Sequence, residues 1–487
     1  MTTYTQLYMD GQWLNADSDA SLAVINPATE KVVAEVPRGN ANDVNRAVQA
    51  ARKAFLSWSQ TSAAERKRLL LAIADGMEAR KQDLTAAISA TMGCPQHIAG
   101  WLQVDGPIEA MRLFAELTGV TEQVDTVDGA LVVYESAGVC AFINPWNYPL
   151  HQFVGKVGAA LAAGCTMVVK PAEQTPLQDF IMAEIIDAAG VPAGVFNLVP
   201  GYGVDVGETL CTHPEVDVVS FTGSTRAGIE VAKAAAPTVK RVTQELGGKS
   251  PLIITEDADL QAAVQYGVED VMLNSGQTCV ALTRMLVPAA KYDEAVRLAK
   301  DIAEGLVVGM QEDAFLGPIS SRAQQQKILE YIQIGLDEGA TLVCGGLDSP
   351  VVSGSRDDGT GYSGAGYSAP GYYVAPTVFA NVHNQMRIAR EEIFGPVLCM
   401  IPYTDIDEAV EIANDTPYGL ASAVYAGSEE GAIAIARRIR AGQCLMNGAV
   451  FNYNAPFGGY KQSGNGREFS AAGVHEFLEI KAMLQPQ

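Results

Sequence analysis

The sequence predicts an α/β fold: a doubly wound, nucleotide-binding type of parallel sheet followed by a second α/β unit. Three observations carry this. Short apolar runs alternate with helix-length segments across residues 139–221, the pattern of strands covered on both faces by crossover helices. A second alternating set begins after Gly248. The chain has 487 residues, 48% of them hydrophobic, which is enough for a large core and two or three domains.

Taken in order, residues 41–88 read as helical. Val44, Ala47, Val48, Ala51 and Phe55, then Leu69, Leu70, Ile73 and Met77, recur at three- and four-residue spacing. Residues 139–143 read as a buried strand and 153–163 as a helix ended by Gly164. Residues 167–170 form a second strand, which Pro171 closes. A helix at 177–189 and strands at 195–199 and 216–221 follow, with a further helix from about Ser224. Beyond Gly248 come a helix at 258–273, a strand-like run at 285–287, and helices at 291–304 and 322–338. Residues 348–371, rich in Gly, Ser, Tyr and Pro, read as a long surface loop. The alternation near 474–484 reads as a late strand.

Composition narrows the class. Charged residues make up 18%, below the usual value of roughly 25%. A net charge of −23 repels phosphate backbones, so no nucleic-acid partner is expected. Eight cysteines (94, 140, 165, 211, 279, 344, 399 and 444) are scattered without a C-x-x-C pair. Neither a metal site nor a disulfide framework is expected, and reduced thiols fit better. The first residues lack a basic start and an apolar h-region. The longest apolar stretch, 158–169, is too short to span a bilayer. The expectation is a soluble cytoplasmic protein with no membrane partner.

Two stretches carry the chemistry. Glu245-Leu246-Gly247-Gly248-Lys249-Ser250 precedes Asn274-Ser275-Gly276-Gln277-Thr278-Cys279, and Glu245 lies 34 positions before Cys279. A carboxylate and a thiol are the base and nucleophile of covalent catalysis. Together these stretches resemble the signature of the aldehyde dehydrogenase superfamily. Further matching segments run from about Phe142 to Glu468, so the resemblance covers most of the chain.

The resemblance implies roles residue by residue. Cys279 is the nucleophile that forms a thiohemiacetal and then a thioester. Glu245 activates the water that hydrolyses it, and Asn147 in Asn144-Pro145-Trp146-Asn147-Tyr148-Pro149 holds the oxyanion. Glu468 is a second acid, read either as a proton relay towards Glu245 or as a structural ion pair. NAD is the implied cofactor. Lys170 and Glu173 would bind its adenosine ribose, and Gly203 and Gly207 its adenine side. Phe221, Gly223 and Ser224, where a strand meets a helix, would hold its pyrophosphate. Ile143, Pro145, Trp146 and Leu246 complete the cofactor wall, with Glu392 on the nicotinamide ribose and Phe394 near the ring. A glutamate at position 173 opposes a 2′-phosphate, which favours NAD over NADP.

The substrate pocket is expected from Tyr148, Gln152, Leu273, Val450, Phe451 and Phe457, and suits a neutral apolar or aromatic aldehyde. The loop 448–455 has no basic residue. Two alternatives stay open. One is a coenzyme A-acylating enzyme, which Glu245 opposes. The other is a semialdehyde dehydrogenase with an unrecognised cation, for which Arg112 is the candidate. The implied domains are 1–118 with 138–248 for NAD, 249–461 for catalysis, and 119–137 with 462–487 as a small β element that makes a homodimer or homotetramer.

Overall fold

The computed structural model describes residues 2–352 and 370–486. Most of the surface loop read at 348–371 therefore lies outside the described residues.

An eight-stranded sheet forms the first unit. Five strands lie parallel at its centre, in the order Arg241–Glu245, Val218–Thr222, Val139–Ile143, Thr166–Lys170, Phe196–Leu198. The three middle strands are buried along their whole length, which is why they are continuous apolar runs. Sequence periodicity revealed neither Arg241–Glu245 nor the outer strands. The hairpin Leu7–Met9 and Gln12–Leu14 extends one edge, and Gly464–Asn465 pairs antiparallel with Arg241–Glu245 at the other. Residues 464–465 thus belong to the first sheet, although the sequence reading grouped them with the small β element.

Helices cover this sheet. The helical stretch read at 41–88 is three helices, Ala41–Trp58, Ala63–Ala79 and Lys81–Met92. The first begins with a capping box between Asn40 and Asp43. The helix expected at 153–163 runs Pro149–Ala163, because Pro149 is pre-set for the first helical turn. Gly164 ends it in the left-handed conformation, φ 80°. A π-helical segment, Ala99–Asp105, leads into the helix Gly106–Glu116. Its wider hydrogen-bond spacing leaves no signature in a search for the ordinary helical period.

A second sheet of seven strands follows, in the order Thr341–Cys344, Thr377–Ala380, Val397–Tyr403, Arg284–Pro288, Pro251–Ile254, Ala423–Tyr425, Leu445–Met446. All pairings are parallel except that of Thr341–Cys344. Its helices include Leu260–Met272, Tyr292–Gly305 and Arg322–Asp337. A three-stranded antiparallel sheet joins Leu478–Leu484 to Ala130–Ser136 and Val124–Val127, with Ile480, Leu484, Val124 and Val127 exposed. Among the described residues, no helix is long and apolar enough to cross a membrane.

The connection 246–250 passes from the end of Arg241–Glu245 straight into Pro251–Ile254. Glu245 therefore ends one sheet where the next begins. The segment carrying Cys279, between Leu260–Met272 and Arg284–Pro288, folds back to the same seam, with the Cys279 carbonyl against Gly248.

Candidate active site

The cysteine segment is held in an unusual backbone shape. After Leu260–Met272, three successive residues are left-handed: Asn274 at φ 55°, Ser275 at φ 56° and Gly276 at φ 71°. Such runs persist only where surrounding bonds over-determine them. Here Ser275 Oγ donates to Gly317 O at 2.8 Å. Gln277 Nε2 donates to Asn274 O at 3.1 Å, and its Oε1 accepts from Ser320 N at 2.8 Å. A Cβ at Gly276 would overlap the Gly395 carbonyl, so only glycine fits.

Cys279 follows this turn, half-buried. Burial pushes its thiol well above the ordinary range, and the nearby Glu392 and Glu245 carboxylates add to that. The thiol is therefore protonated at rest and needs a base to become a nucleophile.

Asn147 lies on the loop between Val139–Ile143 and Pro149–Ala163, and its side chain is buried. Its Nδ2 donates to Gln277 O at 3.0 Å, which sets the amide beside the cysteine turn. Tyr148 hydroxyl and Thr278 Oγ1 meet at 2.9 Å, a second tie between the two segments.

Glu245 is buried, and neither carboxylate oxygen has a hydrogen-bond partner among the described residues. Burial raises its pKa well above the carboxylate range; Glu468 raises it further, and Lys156 and Arg467 oppose the rise. An unpaired buried carboxylate is costly to structure, so its presence points to chemistry. Glu468 lies close by and is ion-paired to Lys156 Nζ at 2.7 Å. Lys156, fully buried, also donates to Gln152 Oε1 at 2.9 Å and Thr222 Oγ1 at 2.8 Å. Of the two readings left open for Glu468, the ion pair is thus formed. Sequence reading missed Lys156, although a lone lysine in the apolar run 153–163 was a visible signal.

The cofactor candidates gather along the carboxyl ends of the first sheet, where open parallel sheets bind ligands. Lys170 Nζ donates to Pro171 O at 2.7 Å, Gly201 O at 3.0 Å and Glu173 at 3.3 Å. Burial lowers the Lys170 pKa, and Glu173 opposes that shift. Gly207 faces Ile143 and Lys170, and nothing would meet a side chain at Gly203 within 4 Å. Ser224 caps the helix Thr225–Ala235 with its Oγ on Ala227 N, leaving the first N–H groups for an anion. The Phe221 ring packs against Gly223, and Leu246 against Gly228. Glu392 accepts from Gly248 N at 3.0 Å, and a Cβ at Gly247 would overlap its carboxylate. Phe394, at φ 62°, meets Trp146 edge-on at 5.4 Å. Pro145 immediately precedes Trp146. Polar Lys170 and Glu173 at one end of this row and the Trp146 and Phe394 rings at the other suit the two ends of a dinucleotide.

The residues expected at the substrate pocket include a cluster of rings. Phe451 lies 4.9 Å from Tyr453, 5.6 Å from Phe457 and 5.7 Å from Phe469 between ring centroids. Leu273, Cys279, Phe451 and Tyr453 pack on the same cluster. Val450 is 82% exposed and stands outside this wall. Gln152 turns its carbonyl to Lys156 and Thr222, away from a purely apolar role. His151 and Tyr453 were not read from sequence. Leu102 O only accepts, so His151 Nε2, at 2.6 Å, carries the proton, and Nδ1 accepts from the Tyr453 hydroxyl at 3.2 Å. Burial holds this imidazole neutral by lowering its pKa to about 4. Arg112 pairs with Asp75 at 2.8 Å on the outer surface and brings no cation to the pocket.

The chain is similar to known proteins along nearly its whole length. A model of the aldehyde dehydrogenase family matches residues 13–483. The chain is 48% identical to a Pseudomonas 3-succinoylsemialdehyde-pyridine dehydrogenase, with 99% of each chain covered. Among solved structures, it resembles an aldehyde dehydrogenase from Pseudomonas syringae, a cysteine-to-alanine mutant in complex with NAD and octanal. That match has 48% identity and TM-score 0.94, and covers 99% of this chain and 96% of that one. It also resembles a Mycobacterium tuberculosis aldehyde dehydrogenase complexed with NAD, at 40% identity and TM-score 0.93, with 100% and 99% covered.

Proposed function

The chain belongs to the aldehyde dehydrogenase family, and from that premise we propose that it oxidises a neutral, largely apolar aldehyde to the free carboxylic acid with NAD. The observation that carries this reading is the meeting of three groups from separate segments at one seam. These are a half-buried cysteine, an amide held at 3.0 Å from the carbonyl two residues before it, and a buried carboxylate with no partner among the described residues.

In this reading the half-buried Cys279 thiol passes its proton to water and its sulfur bonds to the aldehyde carbon. The carbonyl electron pair moves to oxygen, where the Asn147 amide and the Cys279 N–H stabilise it. Lys170, Glu173, Ser224 and Glu392 would hold NAD, which would supply the acceptor for the hydride that leaves that carbon. The acyl group then sits on Cys279 as a thioester. Glu245 takes a proton from water, the water oxygen bonds to the acyl carbon, and the carbon–sulfur bond breaks to release acid. Hydrolysis at Glu245 supports a free acid over acyl transfer to coenzyme A. The three-stranded sheet with its exposed Ile480, Leu484, Val124 and Val127 suits an interface between copies, as a homodimer or homotetramer.

The ring-lined wall supports an aromatic or medium-chain substrate, and so does the octanal in the Pseudomonas syringae complex. The name of the Pseudomonas relative joins a semialdehyde to a pyridine ring, so a semialdehyde ending in a ring also fits this wall. One ending in a carboxylate would bury a charge without a cation. With purified protein, kcat/KM for benzaldehyde or octanal should exceed that for succinic semialdehyde by about tenfold or more. The reverse order would sink the pocket reading, and no NAD reduction with any aldehyde would sink the activity.

Cofactor choice is a separate expectation. A carboxylate at Glu173 facing a 2′-phosphate costs about 1–4 kcal/mol at close range. The enzyme should therefore prefer NAD over NADP in kcat/KM, and Glu173→Ser should narrow the ratio. An unmodified enzyme that favours NADP would show that Glu173 points elsewhere.

A further inference from the structure

Gln103 belongs to no motif and is fully buried. It lies in the π-helical segment Ala99–Asp105, a rare geometry found disproportionately at functional sites. Its Nε2 donates both protons inward, to Asn147 O and to Asn274 Oδ1, each at 3.1 Å. Its Oε1 is buried with no hydrogen-bond partner among the described residues. The amide thus keeps two donations at the expense of an unpaired carbonyl.

The groups it holds are those of the reaction centre. Asn274 Nδ2 also donates to Asn147 O, at 3.1 Å, and to Gln277 O at 3.4 Å. Asn147 Nδ2 donates to Gln277 O at 3.0 Å. Three side-chain amides therefore lock the loop of residue 147 to the left-handed turn that precedes Cys279. Gln103 is the member supplied by neither the loop nor the turn. Removing it leaves Asn147 O with Asn274 alone and frees Asn274 to rotate.

We propose that Gln103 is a positioning residue for the oxyanion site: its amide fixes the distance between the Asn147 amide and Cys279. This rests on the reading of Asn147 as the oxyanion donor. A donor aimed at developing charge loses most of its value when displaced by a fraction of an ångström, because only interactions stronger in the transition state raise kcat. Gln103 touches no substrate atom in this arrangement, so its removal should act on kcat and spare binding.

The test uses the full-length enzyme with an aldehyde that it oxidises. Gln103→Met conserves volume, removes both donated bonds and also removes the orphaned carbonyl. Its kcat should fall by about tenfold, part of the roughly 10²–10³ that loss of a whole oxyanion donor costs. Aldehyde KM and the NAD dissociation constant, read by tryptophan fluorescence, should stay within about twofold. In an Asn147→Ala background the same change should have no further effect on kcat, since the residue acts through Asn147. Gln103→Glu, which keeps the shape but points a carboxyl at two acceptors, serves if the methionine variant does not fold. A kcat within about twofold of the parent in the variant that folds, or the same drop in both backgrounds, overturns the proposal. Parental kcat in Asn147→Ala alone would instead overturn the oxyanion reading beneath it.

Discussion

Cys279→Ala is expected to abolish aldehyde oxidation, by about 10⁴-fold or more, while NAD binding persists. The loss is large because the rest of the site has no second group able to form the covalent bond. Among the described residues the remaining cysteines are buried, apart from half-buried Cys444. Binding persists because the thiol makes no contact on which the cofactor groove depends. Lys170, Ser224 and Glu392 are held by Gly201 O, Ala227 N and Gly248 N respectively. Steady-state rates and a fluorescence titration with NAD separate the two effects. Full turnover in the alanine variant would remove the covalent mechanism, and lost NAD binding would show that the turn itself had collapsed.

Glu245→Gln is expected to slow steady-state turnover by about 10²- to 10⁴-fold, the range of a lost general base. The amide keeps the shape of the side chain but cannot take a proton from water. Acylation needs a base only to remove the thiol proton, so the first turnover should be faster than those that follow, and acyl-enzyme should accumulate. Rapid mixing with excess aldehyde would show this as a burst.

The pH dependence has a defined sign. Glu245 acts only when deprotonated, and burial with Glu468 nearby raises its folded-state pKa well above the carboxylate range. Activity should therefore be low below that raised pKa and climb as pH passes through it. The glutamine variant should lose this limb in the deacylation rate. A limb that persists in the variant would assign it to another group.

Much of this site is legible in the sequence, and the reasons differ by residue. Cys279, Glu245 and Asn147 sit in glycine- and proline-rich strings, where tight turns force particular residues into particular places. The central strands are legible because burial on both faces makes them continuous apolar runs. Gln103 and His151 are not legible, because each looks like an ordinary helical residue. Their roles arise from a π turn and from contacts to residues far along the chain. Lys156 falls between: an isolated lysine among apolar neighbours was visible, but the carboxylate it serves lies at position 468. The strand Gly464–Asn465 escapes any periodic search, since two residues define no period.

During synthesis, the ribosome makes Cys279 and the strand of Glu245 well before residues 457–468. Until that later segment arrives, the outer edge of Arg241–Glu245 lacks its Gly464–Asn465 partner, which pairs with Gln244 and Glu245. Lys156 likewise waits for Glu468, which is carried in by its backbone bridge to Phe457. Open strand edges invite pairing with other chains, and long chains fold from the N-terminal side as they emerge. The nascent chain thus carries Cys279 before the surroundings of Glu245 are complete. The late segment both completes the surroundings of Glu245 and pairs with the strand that ends there, so damage to it should cost activity and solubility together.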